Sequence, residues 1–187
     1  MNIVINQAMN KQECTSLKLI DNQLTSNAVS ILANALIDNK KLERLSLWRN
    51  AIGDAGVQLL VNALSINRSS LKNIDLSENE ITDQGVEYLS QMLRTNTRLT
   101  HLTLSHNQIT DHGLRLLIDV LQNENRTVQV LSLTQNKSLT DRSVENLIEM
   151  FKVHRSLKKL WINDCSLSKK GRDKLRRAKP TDLELFT

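Results

Sequence analysis

The stretch Leu71–Leu93, LKNIDLSENEITDQGVEYLSQML, decides the fold. Ile74 and Leu76 stand two residues apart, so in a short strand they point to one face, and Asp75 and Ser77 point to the other. Asn79 closes the strand. Its side-chain amide carries both donors and an acceptor. Turned inward beneath the strand, it satisfies backbone groups of the bend that burial would otherwise leave unpaired. Ile81 re-enters the core. Thr82 and Asp83 are both capping types and predict a helix start, after which Val86, Leu89 and Leu93 recur at helical spacing. One strand and one helix cannot bury their apolar faces alone, so stacked copies must do it.

The same frame recurs. Its first position holds Cys14, Leu42, Leu71, Leu99, Val128 and Leu157, at intervals of 28, 29, 28, 29 and 29. The strand pair reads Leu17/Leu19, Leu45/Leu47, Ile74/Leu76, Leu102/Leu104, Leu131/Leu133 and Leu160/Ile162. The asparagine position reads Asn22, Asn50, Asn79, Asn107, Asn136 and Cys165. These are the positions of L-x-x-L-x-L-x-x-N-x-L, the leucine-rich repeat. The alternation of 28 and 29, with its deeper period of 57 (Cys14 to Leu71, Leu42 to Leu99), resembles the ribonuclease-inhibitor-like subfamily of leucine-rich repeats. A cysteine at the strand end, as at Cys165, also occurs in that family. The resemblance runs from Cys14 to Ala178. It implies an α/β solenoid of about six repeats: a parallel inner sheet forming a horseshoe, with α-helices outside. It further implies that a protein partner is held by the concave strands and adjoining loops. Ribonuclease inhibitor itself is a poor match, being far longer and rich in cysteine.

Composition agrees with one continuous core. Of 187 residues 40% are apolar and only 3% aromatic, with a single proline and five glycines. We therefore expect one domain over residues 1–187: a cap or truncated helix at 1–13, repeats at 14–167, and a basic cap helix and tail at 168–187. No apolar run approaches the ~20 residues that span a bilayer, and Met1-Asn2 opens no secretory leader. Cys14 and Cys165 lie at opposite ends of the solenoid in inward positions, so both are expected to be buried free thiols in a reducing, cytoplasmic setting. The net charge of +5 is uneven. Residues 152–187 carry 11 Lys/Arg against 4 Asp/Glu, and residues 1–151 carry 14 against 16, so the basic character reads as a terminal feature.

Within residues 1–13, Val4 and Ala8 fall at helix-core positions. Helices are expected at Asn27–Asp38, Ala55–Ile66, His112–Gln122 and Ser168–Ala178. Repeat five has one extra residue at Lys137-Ser138, which belongs in a loop. Pro180 stops the last helix, and the tail is expected to pack Leu183 and Phe186 on the last repeat.

The register yields the outward columns. One is Ser16, Arg44, Asn73, His101, Val130, Lys159; the next is Lys18, Ser46, Asp75, Thr103, Ser132, Trp161. A third is Ile20, Trp48, Ser77, Ser105, Thr134, Asn163, and the last is Asp21, Arg49, Glu78, His106, Gln135, Asp164. Both tryptophans thus fall outside the core. A Trp beside an Arg is the composition of an interface hot spot; the competing reading packs Trp48 on Ile20 and Arg49, and Trp161 on the tail. The partner-binding candidates are Ile20, Arg44, Trp48, Arg49, Asp75, Glu78, His101, His106 and Trp161.

No catalytic constellation is legible. His101, His106 and His112 lack a third ligand at metal spacing, the cysteines are inward, and Gly56, Gly85 and Gly113 serve helix packing rather than a phosphate loop. We expect a non-catalytic protein-interaction module without cofactor or metal, monomeric, and possessing no membrane span. Two alternatives stand beside it. One is a GTPase-activating protein of the leucine-rich repeat type, with Arg49 as its nearest functional candidate. The other is nucleic-acid or acidic-surface attachment through the basic cap helix, although that helix has no aromatic residues for base stacking.

Overall fold

The structure, a computed structural model, describes residues 14–37, 39–65 and 69–187. Val4 and Ala8 lie outside these residues. Strand and helix alternate: β1 (Ser16–Lys18), α1 (Ser26–Ile37), β2 (Arg44–Ser46), α2 (Gly53–Ser65), β3 (Asn73–Asp75), α3 (Asp83–Leu93), β4 (His101–Thr103), α4 (Asp111–Asn123), β5 (Val130–Ser132), α5 (Val144–Val153), β6 (Lys159–Trp161), α6 (Lys169–Ala178) and β7 (Glu184–Phe186). The strands form one parallel sheet in chain order. The pairing puts Leu17, Leu45, Ile74, Leu102, Leu131 and Leu160 side by side. All six are buried, so the period-2 pattern sets the register as read.

Each helix turns its apolar stripe to the sheet. In α3 these are Val86, Leu89, Met92 and Leu93. Thr82 caps α3 by accepting from Gln84 N, as the sequence predicts. Repeat five departs from the pattern: a 3-10 turn over Asp141–Ser143 precedes α5, where the extra residue at Lys137-Ser138 has lengthened the strand-to-helix connection.

Two polar ladders join the repeats. Beneath the strands, Asn107 Nδ2 donates to Leu76 O and Leu104 O, and its Oδ1 accepts from Asn79 N and Ile81 N. Asn50 and Asn136 make the same kind of contacts. Asn22, expected in this row, is exposed, because no described strand lies before β1 to enclose it. At the helix-to-strand turns, Asn125 Nδ2 donates to Leu93 O, and its Oδ1 accepts from Val128 N. His154 takes the equivalent place in the next repeat, with Nδ1 2.7 Å from Leu121 O.

The tail does more than pack. Pro180 ends the helical region, Leu183 is buried, and Glu184–Phe186 adds a seventh parallel strand to β6. Cys14 and Cys165 are free, as expected, but half-buried rather than enclosed, since each sits in a terminal repeat. Cys165 Sγ donates to Leu133 O at 3.3 Å, where a ladder asparagine would use its amide.

Candidate protein-binding surface

The outward columns build a surface whose middle is polar and shallow. Arg44, Asn73, Asp75, His101 and Thr103 line one groove of about 370 Å³ on the strand face, together with Ser16, Lys18 and Ser46. Three of the expected residues, Arg44, Asp75 and His101, thus meet. Asp75 is held in place: its Oδ1 accepts from Ser77 N and Oγ, and its Oδ2 from Ser46 Oγ. Ser77, expected in the open floor, is buried by this arrangement. Partial burial lowers the His101 pKa, which favours the neutral ring near neutral pH, and Nδ1 lies 2.8 Å from Thr100 Oγ1.

A second groove, of about 650 Å³, opens at the strand ends. It is lined by Arg49, Glu78, Glu80, His106, Gln135 and Lys137, among others. Arg49, Glu78 and His106 therefore belong to this rim and not to the strand floor. The reason is backbone conformation. Every residue of that column adopts a left-handed φ: Asp21 55°, Arg49 58°, Glu78 52°, His106 54°, Gln135 61° and Asp164 56°. None is glycine, so each position carries strain on the order of 1 kcal/mol or more. The conformation bends the chain sharply off the strand while the backbone keeps its bond to the next repeat, as in Arg49 N to Ser77 O at 2.9 Å. Sequence reasoning missed the rim because neither Gly nor Asn marks the turn.

Trp48 is linked to the second groove through Glu78. It is 39% exposed, and its Nε1 donates to Glu78 Oε1 at 3.0 Å. Arg49 lies 3.6 Å from Asp21 and 3.9 Å from Glu78, distances of weak, exposed pairs. Ile20 is half-buried at the first strand's end. Trp161 stands apart from the rest. Its ring stacks on Phe186 of β7, with centroids 5.0 Å apart and planes 6° from parallel, so the reading that packs it on the tail holds.

Among the described residues, no group of three or more His, Cys, Asp or Glu is placed to hold a metal ion, and no helix is long and apolar enough to cross a membrane. In the basic cap helix, Lys174 pairs with Glu145, Arg176 with Asp173 at 3.4 Å, and Arg172 donates to Leu167 O.

The family model described as "Leucine Rich repeat" matches residues 38–61, 68–90, 95–117 and 124–147, half of the chain. The chain belongs to the leucine-rich repeat family. Its repeats are of the ribonuclease-inhibitor-like type, and such leucine-rich repeats form protein-interaction modules. It is 36% identical over 148 residues to NACHT, LRR and PYD domains-containing protein 3 of Bos taurus, covering 79% of this chain and 14% of that protein. It is 36% identical over 159 residues to NACHT, LRR and PYD domains-containing protein 13 of Homo sapiens, covering 84% and 15%. This leucine-rich repeat chain thus spans about one seventh of the length of these curated relatives. Among solved structures it resembles leiomodin-1 actin-binding site 2, with a TM-score of 0.57 at 15% identity over 95% of this chain and 84% of that one. It also resembles the tropomodulin C-terminal domain of Caenorhabditis elegans, with a TM-score of 0.55 at 14% identity over 93% and 87%. At those identities the likeness is one of fold.

Proposed function

We propose that residues 1–187 act as one non-catalytic interaction unit whose protein partner lies along the strand face and the strand-end rim, with Trp48 as its anchor. The observation that carries this reading is the state of Trp48. Its ring is exposed, yet its indole nitrogen is tied to Glu78 on the neighbouring repeat. An aromatic already held in one orientation loses little freedom on binding, and Trp is the residue type most enriched at hot spots. Around it, Arg44, Asp75 and His101 supply polar contacts on one side, and Arg49, Glu78 and His106 on the other. Ile20 extends the apolar contact toward the first repeat, and Trp161 marks the far end of the face.

The unit is read as a monomer in the reducing cytoplasm, where Cys14 and Cys165 stay as thiols. The GTPase-activating alternative draws no support from the surroundings of Arg49, whose guanidinium already faces Asp21 and Glu78; a GTP turnover assay tests it.

The test of the main reading is to capture the partner on the immobilised chain, identify it by mass spectrometry, and measure its affinity by calorimetry. Trp48→Ala should weaken binding by ~2 kcal/mol or more, about thirtyfold, with an unchanged melt. Reversing Lys169 and Lys170 on the cap helix should leave affinity near the original. Indifference to Trp48 with loss on cap reversal would move the contact to the basic cap instead.

A further inference from the structure

The near-neutral charge of residues 1–151 conceals a segregation across the fold. The strand-to-helix edge carries Asp54, Glu78, Glu80, Asp83 and Asp111, with Arg49 as the cation among them through repeat four. The opposite edge, where helices return to strands, is basic. Each of its five turns brings a Lys or Arg: Lys40, Lys72, Arg98, Arg126 and Arg155, all exposed. The in-register pairing of β1 through β6 aligns these turns in one row. Basic character is thus a property of the repeats as well as of the terminus.

Part of this row is explained by the fold. Helix C-termini favour cations, and Arg126 donates from its guanidinium to Leu121 O and Gln122 O at the end of α4. Lys72 pairs with Glu43 at 2.7 Å and holds that carboxyl below its usual range. Lys40, Arg98 and Arg155 differ. Their side chains make no hydrogen bond or salt bridge among the described residues, although Arg155 adds through space to the lowering that Lys158 imposes on the Asp182 carboxyl. Strands stack ~4.8 Å apart at the sheet, so successive turns lie within about one Debye length, ~8 Å at physiological salt, and their cations act together.

We propose that this edge docks on an anionic lipid bilayer, with the solenoid standing edge-on to the membrane. The row projects from turns, and both grooves described above lie elsewhere, on the strand face and at the opposite rim. Exposed cations projecting along one row of turns match a flat polyanionic surface in charge and shape. The row contains no aromatic side chain on which single-stranded bases would stack. The attachment leaves Trp48 and the strand face open to a protein.

Vesicle co-sedimentation tests this with the whole chain. Phosphatidylserine-containing vesicles should bind it, pure phosphatidylcholine vesicles should not, and binding should weaken steeply with salt. The triple variant Lys40→Glu, Arg98→Glu, Arg155→Glu should bind at least ~100-fold more weakly, as expected for losing three near-surface cations. Its melt should stay close to the original, since these side chains make no hydrogen bond or salt bridge among the described residues. Trp48→Ala should bind vesicles normally. The proposal is overturned if neither vesicle is bound, if the triple variant binds as well as the original, or if reversing Lys169 and Lys170 abolishes binding while the edge variant keeps it. Binding of duplex DNA or polyglutamate in preference to the anionic vesicles would likewise overturn it.

Discussion

Asp83 at the start of α3 accepts two hydrogen bonds from Thr110 of the following repeat, from the backbone N at 2.8 Å and from Oγ1 at 2.6 Å. The pattern repeats around the solenoid: Asp54 holds Thr82, Asp111 holds Thr140, and Asp141 holds Ser168. Each helix start is thereby tied to the next at its N-terminus, where a carboxylate also meets the favourable end of the helix dipole. Asp83→Ala should therefore destabilise the chain by ~1–3 kcal/mol, because it strands a half-buried N–H and hydroxyl. A urea melt checks this. Asp119→Ala, on an exposed helix face where the carboxylate meets Arg94 at 3.5 Å and accepts from Asn123 Nδ2 at 3.0 Å in solvent, is the control and should stay within ~0.5 kcal/mol.

The ladder asparagines are not equivalent. Asn79 is fully buried and donates to Leu47 O and Ser77 O, but its Oδ1 has no partner among the described residues. The Oδ1 of Asn107 accepts two backbone N–H groups. Both alanine variants should destabilise, and Asn107→Ala should cost more, by about 1 kcal/mol for the additional backbone donors left unpaired. Equal midpoints in parallel denaturant melts would show that the oxygen's bonds contribute nothing.

Burial pushes the Cys165 thiol up to about 11 from 9.0. Its thiolate, the reactive form, is therefore scarcer at neutral pH by ~100-fold than in an unshifted thiol. Iodoacetamide labelling of the native chain at pH 8 should be slower at Cys165 than in urea by about that factor. The sign of the linked stability follows. With the folded value raised, the native state keeps its proton longer, so the contribution is complete below pH 9 and is lost as pH rises toward 11. Labelling at equal rates in both solvents would contradict the burial.

The tail should separate into a core part and a surface part. Leu183→Ala removes a buried side chain and should cost ~2–5 kcal/mol. Phe186→Ala unstacks Trp161 and should cost ~0.5–1.5 kcal/mol, with a change in tryptophan emission that Leu183→Ala, in a still-folded chain, does not reproduce. Thermal melts followed by fluorescence distinguish the two.

The repeat register was readable from residue spacing because each rung reports the same chemistry several times. Ile74 and Leu76 must face inward together, Asn79 must follow them, and the 28/29 alternation admits one frame. The two outward strand columns, the exposed state of Trp48 and the cap at Thr82 follow from that frame by local geometry alone. What the frame does not carry is any relation between residues on different rungs that has no apolar signature. The left-handed φ shared by Arg49, Glu78 and His106 is imposed by the turn and the neighbouring strand's hydrogen bonds, and nothing in those side chains announces it. The Asp83–Thr110 contact was present as a recurring Thr-Asp pair, but its partner lies one repeat away, visible only once the helices are stacked. The sequence shows a tail that packs Leu183 and Phe186 but not its conformation, because Glu184–Phe186 is too short to show a period; it becomes a strand because β6 offers an unpaired edge. The basic and acidic edges cancel in any count along the chain. They separate only when folding sends one set of turns to each side of the sheet.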